Sequence, residues 1–327
     1  MQLPESRYQF ASKREKKSPR RLVVWTLILG LLSSGIFALY YYNPFQAEEE
    51  QNTESSESES PIEMDTAEDQ SIEELWQNKE YVRINNVCEQ HLSEHPLDAK
   101  YLAVNGFAYF YRGNSLYSLE DQIPLYDQAV VNLRKALIAP DPPMKGEIHY
   151  VLGKTYYHKG RFYVDQAVKH LKASIEAGYE SIDTYRYLGL AYNELGDYQR
   201  SVEHFLQALE RDPEPLLYMT IGQIYHKLEN YDRALDFLLR AVHSTEEKTV
   251  ELKSRFVLGN IYIENEEYEK AQAQYEKILS IDPESADAHY YLGDIYDRMD
   301  DRVKARAEWR KALQIDPSHY GALLKLY

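Results

Sequence analysis

The chain has 327 residues, 28% of them charged, with a formal net charge of −16. Nucleic-acid binding depends on Lys and Arg displacing phosphate counterions, so an acidic balance of this size argues against nucleic acid as a partner. Cys88 is the only cysteine, which rules out an intrachain disulfide or a cysteine-rich zinc site and leaves packing alone to stabilise the fold.

The charge is distributed in blocks. Residues 1–21 hold seven Lys/Arg against Glu5 and Glu15, a net of +5, and form a basic N-terminal segment. Residues 22–42, LVVWTLILGLLSSGIFALYYY, carry no charge; as a helix they would extend about 31 Å, roughly one bilayer core. Trp25 near one end and Tyr40, Tyr41 and Tyr42 at the other suit the two membrane interfaces. A transmembrane helix contacting the lipid bilayer through residues 22–42 is therefore expected. Cations precede it and Glu48, Glu49 and Glu50 follow it, so the positive-inside rule places the N-terminus in the cytoplasm and everything after residue 42 outside it. A cleaved signal peptide is the competing reading, but the exit Ile36-Phe37-Ala38-Leu39-Tyr40 is bulky where a cleavage site needs small residues.

Residues 43–71 contain ten carboxylates and no Lys or Arg. With almost nothing apolar to bury, this Glu/Ser-rich linker is expected to stay disordered and to average roughly 30 Å end to end. Once +5 and −10 are taken from the total, −11 remains for the rest of the chain.

From residue 72 onward the sequence repeats. Gly153, Gly189, Gly222, Gly259 and Gly293 are separated by 36, 33, 37 and 34 residues, the period of a solenoid. Leu188-Gly189 is followed by Tyr192, Gly196, Tyr198, Phe205, Ala208 and Pro213. The frame recurs as Ile221, Gly222, Tyr225, Tyr231, Ala234, Leu238 and Ala241; as Leu258, Gly259, Tyr262, Tyr268, Ala271, Tyr275 and Pro283; and as Leu292, Gly293, Tyr296, Ala305, Trp309, Ala312 and Pro317. Small residues let two antiparallel helices approach, large ones at helical spacing fill the space between them, and Pro ends the second helix. The regular tyrosines Tyr156, Tyr192, Tyr225, Tyr262 and Tyr296 are expected in the core.

This pattern resembles the tetratricopeptide repeat (TPR). The resemblance covers residues 72–327 and implies an all-α, right-handed α-solenoid of about seven helix-turn-helix units near 72–97, 98–143, 146–181, 182–215, 216–250, 252–285 and 286–319, with a short cap at 320–327. Two units depart from the frame. Around Gly153, Ala167 comes two residues late, after Arg161-Phe162-Tyr163-Val164-Asp165; around Gly106, Ala129 comes eleven residues late, after NSLYSLEDQIP. The first insertion should lengthen the turn or the helix start. The second carries Leu116, Tyr117, Leu119 and Ile123 and should fold onto the solenoid.

The family's geometry further implies that the first helix of each unit lines a concave groove through residues three before, one after and four after the glycine. The candidate protein-binding residues are thus Tyr150, Lys154 and Tyr157 in one unit; Arg186, Leu190 and Asn193 in the next; then Met219, Gln223 and His226; then Phe256, Asn260 and Ile263; and last Tyr290, Asp294 and Asp297. The Lys-Asn pair by which some family members clamp a terminal carboxylate is missing at Tyr150-Lys154, Arg186-Leu190 and Phe256-Asn260. The ten histidines form no compact ligand spacing, and His149 and His158 read as surface or groove residues. No phosphate loop, nucleophile elbow or dinucleotide fingerprint occurs, so neither catalytic residues nor cofactors are expected.

The expected function is a membrane-tethered adaptor that binds protein or peptide partners on the extracytoplasmic side, in envelope assembly or secretion. The absence of an Asn-x-Ser/Thr sequon favours a bacterial inner membrane facing the periplasm. A self-associating homo-oligomeric scaffold without a separate client is the alternative.

Overall fold

The structure, a computed structural model, describes residues 71–327. The basic segment, the expected spanning helix at 22–42 and the linker up to residue 70 lie outside the described residues. Among the described residues no helix is long and apolar enough to cross a membrane.

Fifteen α-helices and one 3₁₀ turn make up the described residues, without strands. They are α1 (Ile72–Gln77), α2 (Tyr81–Glu94), α3 (Ala99–Asn114), α4 (Leu119–Ala136), α5 (Lys145–His158), α6 (Val164–Glu176), α7 (Thr184–Glu194), α8 (Tyr198–Arg211), α9 (Pro215–Lys227), α10 (Tyr231–Ser244), α11 (Lys248–Glu264), α12 (Tyr268–Ile281), α13 (Ala286–Arg298), α14 (Arg302–Ile315) and α15 (Tyr320–Leu326). Consecutive helices form seven hairpins, and each second helix also packs on the first helix of the next hairpin. First helices touch each other at α3–α5, α5–α7 and α9–α11, whereas no two second helices approach comparably. The first helices therefore form the inner row of a curved stack.

The glycines set the closeness of every hairpin after the first. A Cβ on Gly189 would stand 2.8 Å from the Phe205 ring, on Gly222 2.6 Å from Leu238 Cγ, on Gly259 2.6 Å from the Tyr275 ring and on Gly293 2.4 Å from Trp309. Each partner lies sixteen residues on. Gly153 meets Leu171 and Gly106 meets Leu133 in the same way, so the late units keep the contact with their two and eleven extra residues absorbed elsewhere. Among the regular tyrosines, Tyr156, Tyr192 and Tyr262 are buried, while Tyr225 and Tyr296 are half-buried.

Local signals fix the ends. Asp197, Asn230 and Asp301 accept the backbone N–H three residues on and start α8, α10 and α14. Pro96, Pro213, Pro283 and Pro317 follow the ends of α2, α8, α12 and α14. In the turn inside each of the last four hairpins the chain takes a left-handed residue: Gly196 at φ 77°, but Glu229, Glu266 and Asp300 at φ 56°, 60° and 61°.

The two insertions are resolved differently. In the third hairpin the extra residues form the 3₁₀ turn Arg161–Tyr163, with Phe162 almost wholly exposed. In the second, the added sequence lengthens α4 to 18 residues, with Pro124 inside it. Tyr126 packs on Gly113 and donates to Asn114 Oδ1 at 2.8 Å. Ile123 joins the core, but Tyr117 and Leu119 are exposed, which corrects the expectation that the whole insertion folds inward.

Cys88 is fully buried in the first hairpin beside Leu75, Ile84 and Ala108. Burial, with Glu89 adding to it, pushes its thiol up to about 12, so it is inert at neutral pH.

Candidate protein-binding groove

The candidate residues divide according to their place in the frame. The position three before the glycine points to the next hairpin rather than to open groove. The hydroxyl of Tyr150 on α5 donates to Asp183 Oδ1 at 2.5 Å, just before α7. Arg186 on α7 pairs with Glu214 at 2.7 Å and Asp212 at 3.4 Å, next to the start of α9. Phe256 stands edge-on to Tyr275 and Tyr291, and Tyr290 packs on His319 and against Gly321. Met219 is 2% exposed. The first four join one unit to its successor, and Tyr150 and Met219, buried, offer no surface to a partner.

The position one after the glycine is mixed. Leu190 and Lys154 are buried, Asp294 pairs with Lys325 of α15 at 2.8 Å, and Asn260 accepts from the Tyr275 hydroxyl at 2.7 Å. Gln223 is partly exposed. Lys154 departs furthest from the sequence expectation. Its Nζ lies 3.0 Å from Asp183 Oδ2 and 5.6, 5.3 and 4.7 Å from the ring centroids of Phe110, Tyr150 and Tyr187. It is a cation enclosed by a carboxylate and three aromatic faces. Burial pushes the Asp183 carboxyl up, but Lys154, Tyr150 and Ser181 outweigh it and hold Asp183 below the ordinary carboxylate range.

The position four after the glycine stays most accessible. Tyr157, Asn193, His226 and Ile263 are partly exposed and Asp297 is exposed, so one hydroxyl, one amide, one imidazole, one alkyl chain and one carboxylate follow each other along the inner row. Tyr157 is steadied by the rings of His158 and Tyr187, and His226 reaches Glu264 at 3.4 Å.

The histidines correct a second expectation. His158 is no groove residue: it is partly buried against the rings of Phe110, Tyr126, Tyr157 and Tyr187, with Nε2 3.1 Å from the Tyr187 hydroxyl. Burial, then the Lys154 charge, drives it down to about 3. His149 faces His170 with Nδ1 atoms 2.9 Å apart, across α5 and α6. Burial, then the neighbouring His149, Lys169 and Arg134, lowers His170 to about 4. No group of three or more metal-binding side chains comes together among the described residues.

Asp183 and Glu214 were not legible as site residues. The available signal was an acid at the start of a first helix, 29 or 28 residues after a cation on the preceding first helix and so short of a full period. That signal is weak, because acids are common at helix N-termini for dipole reasons alone.

Family models described as tetratricopeptide repeat match residues 164–214, 188–248 and 286–319, and one described as TPR repeat matches 259–300. No curated protein matches the chain. Among solved structures, the C-terminal part of a TPR repeat-containing protein from Cytophaga hutchinsonii shares the fold at a TM-score of 0.61, with 16% identity over 78% of this chain and 98% of that one. YrrB, a TPR protein with an unusual peptide-binding site, aligns at 24% identity and TM-score 0.48, over 59% of this chain and 96% of its own. MamA from Desulfovibrio magneticus RS-1 aligns at 24% and 0.48, over 54% and 98%. By its stacked hairpins and by the repeat models it matches over residues 164–248 and 259–319, the chain is a tetratricopeptide-repeat protein.

Proposed function

We propose that this protein is a membrane-tethered, non-catalytic scaffold whose inner row of helices binds protein or peptide partners outside the cytoplasm, in envelope assembly or secretion. The observation that carries the binding half is the accessible row Tyr157, Asn193, His226 and Ile263. It lies on a floor that internal contacts hold rigid, so little order is lost when a partner docks. Mixed aromatic, amide and alkyl groups suit an extended peptide or a partner helix. The tethering half rests on sequence: the uncharged stretch at 22–42, its basic N-terminal flank and its acidic C-terminal flank.

Photoreactive residues placed at Tyr157, Gln223 and Asn260 in the full-length protein in its native membrane test the reading. Discrete adducts that disappear when Asn193 and His226 are replaced by Ala support a groove-bound client. Adducts only between copies of this chain, unchanged by those replacements, would replace the client reading with self-association.

A further inference from the structure

We propose that the outer face of α14 docks on the anionic headgroups of a phospholipid bilayer. Residues 302–311 contain Arg302, Lys304, Arg306, Arg310 and Lys311 against a single acid, Glu308, in a chain whose overall charge is −16. The buried residues Ala305, Trp309 and Ala312 face the hairpin, which turns Arg302, Arg306 and Arg310 outward in line, each one turn after the last. Glu308 does not neutralise them, because it is drawn inward to His289 at 2.6 Å and held by Lys311 at 2.8 Å. Arg306 and Arg310 have no carboxylate partner among the described residues, and Arg302 reaches only the equally exposed Asp300 at 3.5 Å.

The same face offers apolar surface. Val303 is 82% exposed beside Arg302 and Arg306. Leu313, Leu326 and Tyr327 line a shallow recess rimmed by Arg310 and Gln314. Cations interleaved with alkyl and aromatic groups on one side of a helix match a headgroup layer, where phosphates meet the arginines and apolar groups sink to the acyl boundary. The outer faces of α8 and α10 mix both signs, as in Arg200, Glu203 and Glu210 or Asp232, Arg233 and Asp236, and would gain nothing from an anionic surface. Each basic residue at such a surface multiplies partitioning about fivefold, so reversing three of them lowers it by more than about a hundredfold.

The inference extends the tether reading without needing it, and the test separates the two. Full-length protein is mixed with vesicles of phosphatidylcholine alone or of phosphatidylcholine and phosphatidylglycerol in equal parts. An environment-sensitive fluorophore sits on Val303→Cys, with Gln199→Cys on α8 as the control site. Buried Cys88 stays unlabelled. The expected result is a blue-shifted probe at position 303, quenched by spin-labelled lipid, only with phosphatidylglycerol. The signal is lost in 500 mM NaCl, is lost with R302E/R306E/R310E, and is absent at position 199. Flotation with both vesicle types but no signal at 303 keeps the tether and overturns the docking face. Flotation with phosphatidylglycerol vesicles alone, with signal at 303, keeps the docking face and overturns the tether. Flotation with neither overturns both, and the same shift produced by soluble polyglutamate but not by vesicles reassigns the face to an acidic protein.

Discussion

Replacing Lys154 by Met exposes how the third and fourth hairpins are joined. Its side chain is 5% exposed and that of Asp183 20%, so the change leaves a mostly buried carboxylate without its cation. Breaking a buried pair from one side costs about 3–5 kcal/mol. Asp183 keeps the Tyr150 hydroxyl and some contact with water, which puts the cost near the lower bound, at about 3 kcal/mol. Asp183→Leu strands the ammonium, but three aromatic faces remain around it and offset about 1–2 kcal/mol, leaving a loss of about 2 kcal/mol. The double variant has no buried charge to strand, so it should lose about 2 kcal/mol less than the two single losses together. Urea unfolding of the four proteins at pH 7.5, followed by far-ultraviolet circular dichroism, gives the cycle. Additivity within about 0.5 kcal/mol would refute the idea that the pair acts as a unit. Because Asp183 is held below the ordinary carboxylate range, its share of stability is complete at neutral pH. It disappears as pH falls through the lowered folded value, and Lys154→Met should abolish that acid-side loss.

Other expectations follow from the turns, the hairpin contacts and the histidines. Gly259→Ala would set a Cβ 2.6 Å from the buried Tyr275 ring. Overpacking of about 1–3 kcal/mol against a helix-propensity gain of about 0.5–1 kcal/mol predicts a net loss near 1 kcal/mol, read as a lower urea midpoint. Glu266→Gly, at φ 60°, should raise the midpoint by about 0.5–1 kcal/mol of stability, and Gly196→Ala, at φ 77°, should lower it by about as much. His158, near 3, and His170, near 4, are neutral in the fold where a free histidine of about 6.5 would be charged. The unfolded chain therefore binds more protons across that interval, so stability should fall from pH 6.5 toward 4 and level off above 6.5. Urea midpoints at pH 4.5 and 7.5 check this, and His158→Phe should shrink the difference.

The later hairpins could be read from sequence because local chemistry fixes them: a glycine with its large partner sixteen residues on in the last four, and in three of these a proline after the second helix. Even the irregular units were legible, since Gly106 and Gly153 find Leu133 and Leu171 once the extra residues are counted. The groove was less legible. The frame tells which residues lie on the inner side of a first helix, but openness depends on where the neighbouring hairpin sits. Tyr150, Lys154, Leu190 and Met219 occupy groove positions in the frame but are buried, Tyr150 and Lys154 with Asp183 of the next hairpin against them. Spacing within one unit carries no information about it. His158 misled for a related reason, because the rings that bury it come from three other helices.

The second and third hairpins hold their glycine contact while the path between the helices differs, one by a turn of 3₁₀ helix and the other by a longer α4. The bend inside a hairpin is thus a port, where length can be added without altering the fit of the helices or the course of the stack. A peptide epitope or small domain inserted between Gly196 and Asp197 should be carried as passively as Phe162 is. The same insertion between α8 and α9 would part Arg186 from Glu214 and change the angle at which every later unit is presented.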